Sequence, residues 1–226
     1  MHVEKIGILH SAGYQDNHPT EAHLPRTPNL MGRFRGAMAA YALKTGIIDK
    51  LIVVGGMPDN RGLSVEEGLA RYVRRIVSNP YFAGANKPEL VDQIFVLPRV
   101  NPTFETIMDT REARANLPDH STGENVFMIS NDFHLHPRIG LICLLEGFPK
   151  AKLLSAEDIF KKGWPDRNHQ VTLDKITPAS YLKEQKRKER MMSLALGFDI
   201  FTGTEIMRKK LADIAYKRRV IQGKQY

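Results

Sequence analysis

Four times along the chain a short apolar run gives way to a small or polar turn and then to a segment with helical spacing, and few folds accommodate that alternation. The runs are KIGILH at 5–10, LIVV at 51–54, IFVLP at 94–98 and VFMI at 126–129. Their length and their β-branched and aromatic content suit buried strands better than helices. AKLLSA at 151–156 supplies a fifth. Between the runs, Phe34, Met38, Tyr41 and Ala42 recur at helical spacing over 31–45, and Leu69, Tyr72, Val73 and Ile76 do the same after Ser64. Strands that alternate with helices need crossovers and bury both faces of their sheet. The expected fold is doubly wound α/β, with a mainly parallel, Rossmann-like sheet of about five strands and a C-terminal helical extension.

Helix-end signals agree with these spans. Gly46 suits the C′ position after the first helix. Ser64 stands three residues before Glu67, the capping-box spacing, so the plain role of Glu67 is a helix start. Thr103 caps a helix expected over roughly 104–116. Residues 14–30 carry three prolines and no periodicity, which predicts a lid or binding loop.

Beyond residue 160 the pattern changes. A polar linker is expected around Trp164 to Asn168, followed by helices over roughly 178–197 and 205–221. The second opens with Thr202 and Glu205 in capping-box spacing and carries Met207, Leu211, Ile214 and Ala215 on one face. Residues 1–160 hold 17 Lys or Arg against 18 Asp or Glu, whereas residues 161–226 hold 16 against 7. The net charge of +8 thus belongs to the second segment. The expected division is an α/β domain over 1–160 and a basic helical extension over 161–226 that packs on the domain, on a second copy or on a protein partner. A basic helical face is more often solvated than bound to nucleic acid, so no nucleic-acid partner is inferred from charge.

The one cysteine, Cys143, lies in an apolar run and reads as a small buried hydrophobe, with no disulfide to form. No basic leader precedes the first strand and no apolar window is long enough for a bilayer, so a soluble, cytoplasmic protein is expected.

Ligands of open α/β sheets bind at the carboxyl ends of the strands. Ser11 and Gly13 follow the first strand, and Gly55 and Gly56 follow the second, permitting close backbone approach. After the fourth, Ser130, Asn131, Asp132, His134, His136 and Arg138 crowd one turn ahead of a helix whose free N–H groups favour an anion. No Walker, GxGxxG or GxSxG sequence is present. His134, His136 and Asp132, with His10, form too short and too open a set to predict a metal site.

In four stretches, in order, the chain resembles the YdcF/SanA/ElyC family, also called domain of unknown function 218. The resemblance covers about residues 3–155. Arg35 is similar to the arginine that opens the family's first helix, and VVGG at 53–56 to its "SGG" strand end. SVEEGLARYV at 64–73 resembles the next helix and places Glu67 at an acidic position. PTFET at 102–106 resembles "NTxEN", keeping Thr103 and Glu105, and SNDFHLHPR resembles "TSxxHxxR", keeping His134 and Arg138. Pro102 and Thr106 replace both asparagines, and HLHPR has one residue more than the family spacing, which leaves open whether His134 or His136 faces the crevice.

The resemblance implies that Arg35, Glu67, Glu105, His134 and Arg138 converge. Paired guanidinium groups suit a phosphate or carboxylate. His134 is then the acid–base candidate, with Glu105 and Glu67 as supporting carboxylates. The implied function is an enzyme, a transferase or hydrolase, acting on a small anionic, nucleotide-like or phosphorylated ligand. The alternative is a non-catalytic binding or regulatory module; some members of the family bind S-adenosylmethionine. A third reading places nucleic acid on the basic helices.

Overall fold

The computed structural model describes residues 3–10, 14–15, 27–54, 65–84, 87–97, 123–145, 150–203, 206–207 and 210. Strand β1 (Ile6–His10) is followed by a two-residue antiparallel pair, β2 (Tyr14–Gln15) and β3 (Thr27–Pro28), and by helix α1 (Leu30–Lys44). Next come β4 (Lys50–Val54), α2 (Val65–Val77), a 3-10 turn at Pro88–Gln93, β5 (Ile94–Val96) and β6 (Val126–Ser130). A single turn, α3 (Asp132–His134), leads through a wide π-type turn at Leu135–Ile139 into α4 (Gly140–Leu145). The chain closes its sheet with β7 (Lys152–Ser155) and continues through α5 (Ala156–Gly163), α6 (His169–Ile176) and α7 (Ala179–Thr202).

Strands β5, β4, β1, β6 and β7 lie side by side in that order, all parallel. The expected doubly wound α/β sheet is therefore present. The first crossover carries the chain from β1 to β4, whereas β6 joins the opposite side of β1. The order reverses at the β1/β6 boundary, where open sheets leave a crevice at their carboxyl ends. Leu9 pairs with both Val53 and Ile129, and Ser130 with Ser155, so the strand ends are level there.

Alternation along the strands divides the core in two. Leu9, Leu51, Val53 and Ile129 join Phe34 and Met38 of α1, Leu69 and Val73 of α2, and Ile159 and Phe160 of α5. The intervening residues Ile6, Ile8, Ile52, Val54, Val126 and Met128 join Leu135, Ile139 and Cys143 on the other face. Burial pushes the Cys143 thiol up to about 12, in keeping with an inert core residue. Asn29 caps α1 by accepting from the Gly32 N–H at 2.9 Å, and Gly46 follows the helix with φ of 72°.

Gly7 sits where a Cβ would stand 2.6 Å from Ile48 Cδ1 and 3.1 Å from Ile129 Cδ1. Gly7→Val is expected to cost about 1–3 kcal/mol by overpacking, read as a lower urea midpoint at unchanged slope.

Residue 160, where the charge changes, lies within α5. The linker expected around Trp164 to Asn168 is the turn between α5 and α6, and its first residue, Trp164, packs inward. Its ring lies 4.9 Å from that of Tyr41 and 5.7 Å from those of Phe82 and Phe160, extending the first core cluster outward. Helix α7 runs five residues past its expected end, to Gly203 in the left-handed conformation (φ 66°). It packs against α3, the π-type turn and α4. Among the described residues no helix is long and apolar enough to cross a membrane.

Candidate functional site

At the β1/β6 boundary, β6 delivers Ser130 and Asn131 to the crevice, both fully buried. Asn131 has extended dihedrals and starts the α3 turn. Its side-chain amide links two distant elements. The oxygen accepts from Arg35 Nε, and the nitrogen donates to Glu157 Oε1 at 2.7 Å. The other oxygen of Glu157 accepts from the Asp132 N–H and the Ser155 hydroxyl, each at 3.0 Å. A carboxylate at the start of α5 thereby anchors the turn that follows β6.

Arg35 reaches the crevice from α1 and is 4% exposed. It also donates to the His10 carbonyl at 3.4 Å and approaches Met31 Sδ at 3.7 Å. Burial pulls the guanidinium down to about 10, partly offset by the charges of Glu157 and Glu189, so it remains a cation at neutral pH.

Two imidazoles complete the interior. His10, the last residue of β1, and His134 meet edge to face, with ring centres 6.1 Å apart. His134 Nδ1 lies 2.8 Å from Ser130 Oγ. Burial, and then the charges of Arg35 and Arg138, lower His10 to about 3 and hold His134 well below its ordinary range. Both rings are neutral at physiological pH.

Arg138 enters from the π-type turn. Its Nη1 stands 3.4 Å from Glu189 Oε1 of α7, and both side chains are largely buried. Arg138 Nε and Glu189 Oε2 are buried without a hydrogen-bond partner among the described residues. Glu189 is raised by burial, which outweighs the opposing pull of Arg138 and Arg35.

Of the residues expected at the site, Arg35, Ser130, Asn131, His134 and Arg138 come together here. His136 does not. It precedes a proline, which disfavours helical dihedrals, and its φ of −116° and ψ of 119° kink the helix and leave the side chain exposed. The π-type turn carries one residue more than an α-helical turn, and His134 is the ring that faces inward. Glu67 does not join them either. The buried face of α2 holds Glu66, Leu69, Ala70, Val73 and Val77, leaving position 67 off that face. Its carboxylate lies 3.3 Å from Arg74 Nη1, and Arg74 also donates to the Ile94 carbonyl beside β5. Glu66 is the acid of α2 that is taken inside. Ser11, Gly13, Gly55, Gly56, Thr103 and Glu105, like most of the helix expected over 205–221, lie outside the described residues.

Sequence reasoning missed Glu157 and Glu189 and gave His10 only a weak metal-ligand role. For Glu157 a signal exists, since Ser155 ends a strand as Ser130 does and an acidic helix start follows. Glu189 has none, being one charge within KEQKRKER. Among the described residues no group of three or more His, Cys, Asp or Glu is placed to hold a metal ion.

No family model, no curated protein and no solved structure matches this chain.

Proposed function

We propose that the protein is a YdcF-like enzyme that takes a small anionic, nucleotide-like or phosphorylated ligand into the crevice between the ends of β1 and β6. Arg138 and Arg35 supply positive charge for the ligand's oxyanion, and His134 serves as general base through Nε2, its Nδ1 being engaged by Ser130. One observation carries this reading: two guanidinium groups and two neutral imidazoles, drawn from β1, α1 and the turn after β6, meet where the strand order reverses.

The electrostatics fit a base that is switched on by its substrate. Arg35 and Arg138 both weaken His134 as a proton acceptor. An anion beside them offsets their field and restores basicity when there is a hydroxyl or water to deprotonate.

A thermal-shift screen of nucleotides, sugar phosphates, S-adenosylmethionine and divalent metals tests the proposal. A ligand at a hundred times its Kd stabilises by about 2.7 kcal/mol, roughly 5–10 °C for a domain of this size. The shift is expected to be lost in Arg138→Ala and largely kept in His134→Gln, which instead loses turnover of the hit. A shift of undiminished size in Arg138→Ala would remove the crevice from consideration. Binding without turnover by the wild type would favour the non-catalytic module.

A further inference from the structure

Helix α7 places a carboxylate on the arginine that an anionic ligand would need. Glu189 is 7% exposed, and its Oε1 stands 3.4 Å from Arg138 Nη1, the one contact between the two groups. An arginine and a carboxylate that suit each other form a paired fork of shorter bonds. Here one donor of the guanidinium, Nε, and one oxygen of the carboxylate, Oε2, remain buried with no partner among the described residues. Leaving such atoms buried and unpaired destabilises the seated arrangement. We infer that Glu189 is an internal stand-in for the ligand, so that α7 and the ligand's oxyanion compete for Arg138. This inference rests on the anion site proposed above.

The way α7 is seated agrees with a removable helix. Its inward face carries Glu189, Ser193, Ala195, Leu196 and Asp199. Beneath it Leu196 packs on Ile142, and Ala195 is buried as well. Met191, Leu194, Phe198 and Phe201, the larger apolar residues, are on the outward side, at 53%, 75%, 50% and 92% exposure. Glu189 itself gains less from Arg138 than it loses by burial, as its raised pKa records. A groove of about 380 Å³ bordered by Asp132, Phe133, His136, Lys186, Glu189 and Arg190 runs beside the pair and opens a path to it.

An oxyanion that offers Arg138 two oxygens satisfies the orphaned Nε and releases Glu189 to solvent. Competition is reciprocal, so the factor by which α7 weakens the ligand is the factor by which the ligand loosens α7.

Orthophosphate is the probe, titrated at neutral pH into the full-length wild type, Glu189→Gln and Arg138→Gln, with circular dichroism confirming that each is folded. Phosphate is expected to bind Glu189→Gln on the order of tenfold more tightly than wild type and to lose binding in Arg138→Gln. Hydrogen exchange of wild-type α7 amides, which needs no variant, is expected to accelerate with phosphate. Equal affinity in wild type and Glu189→Gln, with binding still lost in Arg138→Gln, overturns the competition while leaving the anion site standing. Phosphate that binds the wild type without changing α7 exchange overturns the competition in the same way. Absence of binding in all three proteins overturns both the competition and the site.

Discussion

Acidification from pH 7 to pH 5 is expected to destabilise the fold, by roughly 2 kcal/mol through His10 and further, in the same direction, through His134. Both rings are buried neutral, with His10 lowered from 6.5 to about 3 and His134 also well below 6.5. In the unfolded chain each takes up a proton as the pH falls through 6.5, whereas the folded protein keeps both rings unprotonated. The unfolded state therefore binds more protons, and stability falls with pH. The stabilisation is fully present above 6.5 and is lost below it at about 1.4 kcal/mol per pH unit for each ring. For His10 the loss levels off near its folded value of about 3. Against a typical total of about 5–15 kcal/mol, this is a sizeable share of the stability lost above the pH at which ordinary carboxylates titrate. Urea unfolding at pH 7, 6 and 5 measures it. His10→Gln and His134→Gln should each flatten the dependence by about one proton's worth. A wild-type stability that is level across this range would mean that the rings are not buried neutral.

Arg35→Met is expected to cost about 3–5 kcal/mol, the usual result of removing one member of a buried charged network. Methionine keeps most of the volume but leaves Asn131 Oδ1 and the His10 carbonyl without the guanidinium they accept from. The Asn131 to Glu157 link then loses its anchor on α1. Arg138→Gln should cost much less, because its contact with Glu189 is long and single. The ranking is the test: comparable losses for the two variants would show that Arg35 is no more than a ligand-binding group. Arg35→Met also removes one charge that lowers both histidines, so the dependence on pH described above should become shallower in this variant.

Much of the architecture was legible because it depends on local spacing. Strand-length apolar runs, Gly46 after a periodic segment, and Pro137 just beyond a strand-end turn constrain the backbone near themselves. His134 and Arg138 were singled out for a related reason, since both closely follow a strand end, whereas Arg35 was singled out through the family resemblance. Choices between neighbours were not. Whether Glu66 or Glu67 is buried depends on the rotational phase of α2 against α1 and the sheet. Whether His134 or His136 turns inward depends on the kink that the following proline imposes on His136.

What the sequence determined by itself is the set of elements and their alternation, and through these a parallel, doubly wound sheet with a crevice at its strand ends. Tertiary structure alone decided the wiring of that crevice. Glu157 meets Asn131 across 26 positions and Glu189 meets Arg138 across 51. A residue's periodicity reports what its own segment buries, but its partner at long range is selected only when helices and sheet pack and bring unlike segments within bonding distance.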